Sequence, residues 1–184
     1  MVYTMVNLVI MRHGDAEPMN LADSKRQLTA RGRAEVSLIA EWLSANYPAF
    51  DLICSSPYVR TQQTAELVYT QYLGQSEQPT AQEIAPNIEQ QTLPELVPEG
   101  DSQQVQSYLD ALWSSQPERR ILLVSHMPLV SFLVETFTRG GSAPIFETSG
   151  VVLLQYEVGN AAKVIAQCSP RDLLKLPSQN RPKP

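Results

Sequence analysis

Cysteine and histidine are both scarce in this chain of 184 residues, which contains two of each. The two cysteines, Cys54 and Cys168, are too few for a disulfide framework or a thiolate metal cage. Basic residues are also in deficit, and the formal net charge is −5. That balance excludes the broad basic surface with which proteins bind nucleic acid or anionic membranes, although it is compatible with a local basic pocket.

Long apolar runs are absent as well. No stretch reaches the length that is needed to span a bilayer, and the chain does not open on a basic segment followed by an apolar run and a cleavage site. We therefore expect a cytoplasmic protein. The length and the 43% hydrophobic content favour one domain, which we place at residues 1–175, followed by a loose, proline-containing tail at residues 176–184.

Short apolar runs alternate with helical patterns along the chain. Strands are predicted at residues 6–11, 51–54, 88–93, 121–124, 151–158 and 163–167. Thr29 is predicted to cap the first helix, and Pro57 to take the first position of the second. The alternation predicts an α/β fold, a three-layer sandwich in which helices flank a mostly parallel central sheet. Ligands of such sheets bind beyond the carboxyl ends of the strands.

Three predicted strands end in polar, reactive residues. Arg12-His13-Gly14 follows the first, the segment 55–60 with Arg60 follows the second, and Ser125-His126 follows another. If these strands are parallel, both histidines and both arginines meet at one edge of the sheet. Guanidinium groups bind phosphate oxygens in pairs, and a neutral imidazole nitrogen can act as a nucleophile. Helices that begin near Pro57 and Pro128 would aim further donors at the same oxygens.

Five motifs follow one another in order along the chain. They are Arg12–Ala16, Leu28–Gly32, Ser56–Thr64, Leu93–Leu96 and Val124–Pro128. Together they resemble the histidine phosphatase superfamily, the clan of phosphoglycerate mutase and many phosphatases, and within it most of all the small SixA-type phosphohistidine phosphatases. The resemblance covers roughly residues 5–175 and implies a phosphoglycerate mutase-like fold.

The resemblance implies a role for each matching residue. His13 matches the nucleophile that becomes phosphorylated, and His126 matches the second catalytic histidine. Arg12 and Arg60, with Gly14, match the remainder of the phosphate pocket. The resemblance implies no metal ion and no organic cofactor.

Two further roles leave alternatives open. Arg26 matches a substrate-binding arginine of the SixA-type group, and the alternative is a solvated loop charge. Glu95 stands where many members carry the general acid, but Glu99, Asp101 and Asp15 are nearby alternatives. A phosphoramidate has a nitrogen leaving group that is easily protonated, so a strong acid matters less for it than for an alkyl phosphate.

The connection at residues 74–100 bears on the substrate. It is too short and too polar for the helical lid of mutase-type relatives, so we expect a compact or absent lid. An open pocket favours phosphohistidine on another protein, such as a histidine-containing phosphotransfer domain, over a small enclosed metabolite. The alternative substrate is a small phosphomonoester, with sugar phosphates first. We expect neither a nucleic acid nor a membrane partner.

Two other functions compete with this interpretation. Five residues separate Cys54 from Arg60, which is the spacing of the cysteine-dependent phosphatase loop. That loop binds phosphate through successive N–H groups, however, and Pro57 has none. The other competitor is a non-catalytic phosphoprotein-binding module, which would have no need to keep a nucleophilic histidine.

Overall fold

A computed structural model describes residues 5–19, 22–74, 87–141 and 143–175. The strands are β1 (Leu8–Arg12), β2 (Leu52–Ser55), β3 (Glu89–Thr92), β4 (Ile121–Ser125), β5 (Val151–Gln155) and β6 (Lys163–Cys168). The helices are α1 (Ala30–Asn46), α2 (Val59–Gly74), α3 (Ser102–Ser115), α4 (Leu129–Phe137) and α5 (Pro170–Lys175), and short 3-10 turns lie at Asp23–Lys25 and Pro94–Leu96. Among these helices, none has both the length and the apolar character that crossing a membrane demands.

The strands form one mixed sheet in the order β3-β2-β4-β1-β5-β6. The first four are mutually parallel, whereas β5 runs antiparallel to both β1 and β6. Helices α1, α2 and α5 cover one face, and α3 and α4 cover the other. This arrangement confirms the predicted three-layer α/β sandwich. The predicted tail at residues 176–184, and residues 75–86 of the connection expected to replace a lid, lie outside the described residues.

The central strand β1 shows why the sheet lies between two cores. Val9 and Met11 pack into the core beneath α1 and α2, whereas Leu8 and Ile10 pack into the core beneath α3 and α4. A strand buried on both faces needs apolar residues in both registers, which accounts for the continuous apolar run. The polar residue that ends this run, Arg12, pairs with Ser125 at the end of β4.

Helix α1 packs against the polypeptide that leaves β1. Thr29 caps the helix, as predicted, by accepting a hydrogen bond from Gly32 N at 3.0 Å. A Cβ atom at Gly32 would lie 2.0 Å from the carbonyl oxygen of Asp15, and one at Gly14 would lie 2.9 Å from the carbonyl oxygen of Gly32. Glycine at both positions therefore permits the close approach that brings residues 13–15 onto the start of α1.

The start of α2 differs from the prediction. The helix begins at Val59 rather than at Pro57, because residues before it form a bend in which Ser56 Oγ accepts a hydrogen bond from Tyr58 N at 3.3 Å. Ser56 Oγ also contacts His126, so this serine serves the sheet edge as well as the helix start.

The carboxyl-terminal part of the described chain departs from the prediction at two places. Strand β5 ends at Gln155 rather than near Val158, because the amide of Tyr156 donates to the side chain of Asn7 at 2.8 Å instead of pairing with β6. Helix α5 was not predicted. Ser169 and Asp172 cap its start reciprocally, with the Ser169 amide donating to the Asp172 carboxylate at 2.9 Å, which is the capping-box pattern.

We expect Gly32→Ala to lower the free energy of unfolding by about 2 kcal/mol. The new methyl group meets a backbone oxygen that cannot yield, and such overpacking costs about 1–3 kcal/mol. The control is Gly74→Ala at the end of α2, where a Cβ atom would meet none of the described residues within 4 Å and stability should stay the same or rise by up to about 1 kcal/mol. Urea denaturation measures both variants, and equal effects would contradict the close approach.

Candidate active site

The parallel strands bring three sequence-predicted residues together at one edge of the sheet. His13 follows β1, Arg60 lies in the first turn of α2, and His126 follows β4. The two imidazole ring centroids are 5.0 Å apart. All three side chains are largely withdrawn from solvent, with His13 at 8%, Arg60 at 3% and His126 at 1% exposure. The predicted convergence of both histidines on one pocket is therefore present in the structure.

The ring of His13 is held by both of its nitrogens. Nδ1 lies 2.7 Å from the carbonyl oxygen of Gly14, and Nε2 accepts a hydrogen bond from Arg60 Nε at 3.0 Å. A carbonyl oxygen only accepts, so the imidazole proton is assigned to Nδ1 and the lone pair to Nε2. The lone pair thus points at the guanidinium that was expected to bind phosphate.

Both histidines are neutral at physiological pH. Burial lowers the pKa of His13 to about 4, and the nearby Arg60, Arg12 and Arg26 act in the same direction against the hydrogen bond to Gly14. Burial also lowers the pKa of His126 to about 3, assisted by His13 and Arg60. Desolvation and like charge both disfavour the imidazolium form, so His13 Nε2 carries an unprotonated lone pair, which accepts the hydrogen bond from Arg60 Nε.

His126 has one engaged and one free ring nitrogen. Nε2 lies 2.9 Å from Ser56 Oγ, whereas Nδ1 is buried and has no hydrogen-bond partner within the described part of the chain. The Tyr58 ring packs edge-on at 4.9 Å between centroids and also lies 4.9 Å from the Arg60 guanidinium carbon. If the serine donates to Nε2, Nδ1 carries the proton and can donate it to a bound oxygen.

Arg12 comes directly before His13 in the chain, and its side chain is held by the loop before β5. Its Nη1 donates to the carbonyl oxygen of Phe146 at 2.7 Å, and its Nε is buried without a partner among the described residues. Burial, followed by the charge of Arg60, lowers the pKa of Arg12. The mutual repulsion of these two positive charges favours the binding of an anion near them.

The backbone of this segment is clamped by the same loop. The Arg12 amide donates to the carbonyl oxygen of Gly150 at 3.0 Å, and the Ser149 amide donates to the carbonyl oxygen of His13 at 3.1 Å. Ser149 adopts a left-handed conformation with φ of +61°, which is costly for a residue with a side chain. This unfavourable conformation occurs at the residue whose amide binds the His13 carbonyl and so helps to fix the position of His13.

An aspartate that the sequence analysis did not single out balances the arginines. Asp23 Oδ2 accepts from Arg60 Nη2 at 2.9 Å, and Oδ1 accepts from Arg26 Nη1 at 2.8 Å. Desolvation would raise the pKa of Asp23, but the hydrogen bonds from Arg26 and Arg60 outweigh it and lower the pKa. Arg26 therefore reaches the site through Asp23, and its predicted contact with phosphate stays a prediction.

Comparison with known proteins identifies the family. A model of the histidine phosphatase superfamily (branch 1) matches residues 8–95. Phosphohistidine phosphatase SixA of Escherichia coli is 34% identical over 91% of this chain and 96% of its own length. The chain belongs to the histidine phosphatase superfamily.

Other superfamily members agree with this assignment. A SixA homolog of Haemophilus influenzae is 30% identical over 92% of this chain and its whole own length. A solved structure of the protein histidine phosphatase SixA complexed with tungstate superposes with a TM-score of 0.77 at 33% identity, covering 90% of this chain and 98% of that one. The match extends over both halves of the sheet.

Gly14 and Glu95 are two further residues whose predicted roles stay predictions. The Gly14 amide already donates to Thr64 Oγ1 at 3.1 Å, so its predicted contact with phosphate stays a prediction. Glu95 is exposed, in the 3-10 turn whose Leu96 carbonyl accepts a hydrogen bond from Ser125 at 2.8 Å. The turn is thus anchored beside His126, and Glu95 as general acid also stays a prediction.

The alternative acids lie in different surroundings. Glu99 and Asp101 are exposed, and Asp101 caps α3 by accepting from Gln103 N at 2.8 Å. Asp15 accepts a hydrogen bond from Thr29 Oγ1 at 2.7 Å, so its carboxylate is used in anchoring α1. Across the described residues, no group of three or more His, Cys, Asp or Glu side chains is placed to hold a metal ion, and independence of metal stays a prediction.

The cysteine-dependent mechanism has no support in this superfamily member. Cys54 is fully buried within β2 and packs into the core beneath α3 and α4. Burial raises the pKa of its thiol to about 12. The reactive form of such a cysteine is the thiolate, which is inaccessible here.

Three contributors to the site were missed by sequence reasoning. Asp23 has no periodic or motif signal, because its partners come from elsewhere in the fold. Ser56 was assigned only to a helix start, although its hydroxyl also contacts His126. Thr64, one turn after Arg60 on α2, binds the Gly14 amide, and its place in the matching Ser56–Thr64 segment was the only available signal.

We expect neither histidine to titrate between pH 5 and pH 8. A proton NMR titration can test this directly, because the chain has two histidines and their pKa values are lowered to about 4 and about 3. Chain unfolded in urea is the control, with midpoints near the ordinary value of about 6.5. A midpoint near 6.5 in the folded protein would contradict the desolvated site.

The lowered histidine pKa values also predict how the stability of the fold changes with pH. Below pH of about 6.5 the unfolded chain binds protons at both histidines while the folded chain does not. These residues therefore lower stability progressively as the pH falls from about 6.5 through the folded-state pKa values of about 4 and about 3.

Proposed function

We propose that this protein is a phosphohistidine phosphatase that dephosphorylates a phosphohistidine side chain of another protein through a covalent intermediate on His13. The observation that carries the proposal is the orientation of His13. Its Nδ1 is bound to the Gly14 carbonyl and its Nε2 lone pair faces the Arg60 guanidinium at 3.0 Å. When Arg60 Nε transfers its hydrogen bond from Nε2 to a phosphoryl oxygen, His13 presents a neutral, oriented nitrogen beside a cationic oxygen-binding group, as nucleophilic attack on phosphorus requires.

The first chemical step forms a bond between His13 Nε2 and phosphorus as the bond between phosphorus and the leaving nitrogen breaks. The His13 ring gains positive charge, which its Nδ1 hydrogen bond to the Gly14 carbonyl stabilises. Arg12 and Arg60 neutralise charge on the phosphoryl oxygens, and His126 Nδ1 donates to one of them. The leaving imidazole takes the electron pair and a proton from solvent or from an acid such as Glu95.

In the second step a water molecule attacks the phosphorus of the intermediate. A phosphorus–oxygen bond forms, the bond to Nε2 breaks, and the electron pair returns to His13. The water loses its proton to the released phosphate or to a nearby base, and orthophosphate leaves. Burial disfavours positive charge on the His13 ring. It therefore favours the cleavage, which returns His13 to its neutral form.

The protein substrate is supported by the relatives and by the chemistry of the leaving group. The Escherichia coli relative is named a phosphohistidine phosphatase, and the solved relative with tungstate is named a protein histidine phosphatase. An exposed Glu95 suits a substrate whose nitrogen is easily protonated. A histidine-containing phosphotransfer domain as partner, with a cytoplasmic location, remains part of this proposal.

We expect His13→Ala to abolish turnover and to leave no phosphoryl group on the protein. Cys54→Ser is the control, and it should keep most of the activity because the thiol is sealed in the core. The measurement is acid-labile label trapped on the protein after brief exposure to a phosphorylated donor. Inactivation by Cys54→Ser together with an active His13→Ala would show that the histidine mechanism is wrong.

Specificity constants should favour phosphohistidine on a protein over sugar phosphates. The comparison uses a phosphorylated phosphotransfer domain, a phosphohistidine peptide and a panel of sugar phosphates, with His13→Ala as the blank for each. If a sugar phosphate wins by tenfold or more, equivalent to about 1.4 kcal/mol of transition-state discrimination, the protein substrate must be dropped while the His13 mechanism stands.

A further inference from the structure

We propose that the Asp23 carboxylate is an internal competitor of phosphate: it accepts hydrogen bonds from guanidinium nitrogens of Arg60 and Arg26 that a bound phosphate would otherwise use, and its return to them displaces the phosphate product. The proposal rests on the proposed function insofar as the pocket binds a phosphoryl group. It gives Asp23, which touches the anion-binding groups, a role in setting the affinity of the site.

Each guanidinium nitrogen of Arg60 donates one hydrogen bond in this structure, which accounts for three of its five N–H groups. Nε donates to His13 Nε2 at 3.0 Å, Nη1 to the backbone carbonyl of Asp23 at 2.6 Å, and Nη2 to Asp23 Oδ2 at 2.9 Å. The second carboxylate oxygen accepts from Arg26 Nη1 at 2.8 Å. One carboxylate therefore bridges two guanidinium groups, as the oxygens of a phosphate would.

The two side chains of the Arg60–Asp23 ion pair differ in burial. The Arg60 side chain is 4% exposed, whereas the Asp23 side chain is 33% exposed. The arginine is enclosed by its neighbours, but the carboxylate borders solvent and can rotate outward about its side-chain bonds. The backbone carbonyl of Asp23 keeps its hydrogen bond to Nη1 during such a rotation, so Arg60 stays in position when the carboxylate leaves.

The electrostatics make the competition mutual. The lowered pKa of Asp23 keeps its carboxylate ionised, and an ionised carboxylate beside a bound phosphate dianion raises the energy of both. Phosphate that takes the Arg60 Nη2 and Arg26 Nη1 donors therefore displaces the carboxylate from them. After hydrolysis, the carboxylate can replace the departing orthophosphate on Arg60 and Arg26, so that the buried Arg60 is not left without an anion.

A purely structural role for Asp23 predicts the opposite result. If the carboxylate only positioned Arg60 and Arg26 for substrate, its removal would loosen both arginines and weaken phosphate binding. The competitor role predicts that removing the charge strengthens phosphate binding. The sign of the change in affinity therefore separates the two roles.

The experiment compares Asp23→Asn with the unmodified protein, using inorganic phosphate as the probe. Calorimetry should show phosphate bound at least tenfold more tightly by the variant, and the inhibition constant of phosphate in turnover should fall by a similar factor. The matched control is Asp51→Asn, which removes another aspartate from an arginine pair, with Arg120 at 3.3 Å, away from the site. Its affinity for phosphate should change by less than twofold.

A second measurement needs no variant. In a crystal structure of the unmodified protein with phosphate bound, the Asp23 carboxylate should lie beyond hydrogen-bond distance of Arg60 Nη2. An unchanged or weaker phosphate affinity in Asp23→Asn, or a carboxylate still bound to Nη2 beside the phosphate, overturns the proposal. If the protein does not prefer phosphohistidine, the specificity constants will show this. Phosphate affinity is measured without any substrate, so that result is independent of the test of Asp23.

Discussion

The parallel pairing of β1 and β2 with β4 is the constraint on which the rest of the site depends. Pairing Arg12 with Ser125, and Ser55 with Val124, brings the ends of three strands to one edge of the sheet. The side chains that follow those ends come from distant parts of the sequence, and the strand pairing brings them close together. A shift of one residue in either pairing would turn the strand's side chains to the opposite face and separate the two histidines.

Burial at that edge then determines the chemistry. A histidine in water is partly protonated near neutral pH, but the low exposure of His13 and His126 and the neighbouring guanidinium groups keep both rings neutral. The same burial would be unfavourable for Arg12 and Arg60 without a nearby anion. Asp23 supplies that anion for Arg60, whose Nη2 donates to its carboxylate at 2.9 Å.

The sequence predicted the features that rest on local patterns, and it missed those that rest on tertiary approach. Apolar runs followed by polar residues identified β1 and β4 correctly, and the cap at Thr29 followed from a local hydrogen bond. The contact of Asp23 with Arg60 joins residues 37 positions apart, and no periodicity marks it. Helix α5 has only six residues. Its capping pair is visible in the sequence, but the helix is too short to show a helical pattern of apolar residues.

The position of β1 in the middle of the sheet also divides the site by local stability. The His13 amide donates to the Ser125 carbonyl between two central strands, and such a hydrogen bond opens only when much of the fold opens with it. The turn that carries Asp23 has no buried residue of its own and can open locally. In hydrogen exchange, His13 should belong to the slowest cooperative unit and Asp23, which contacts Arg60, to one of the fastest, so that a single site joins the most and the least persistent parts of the fold.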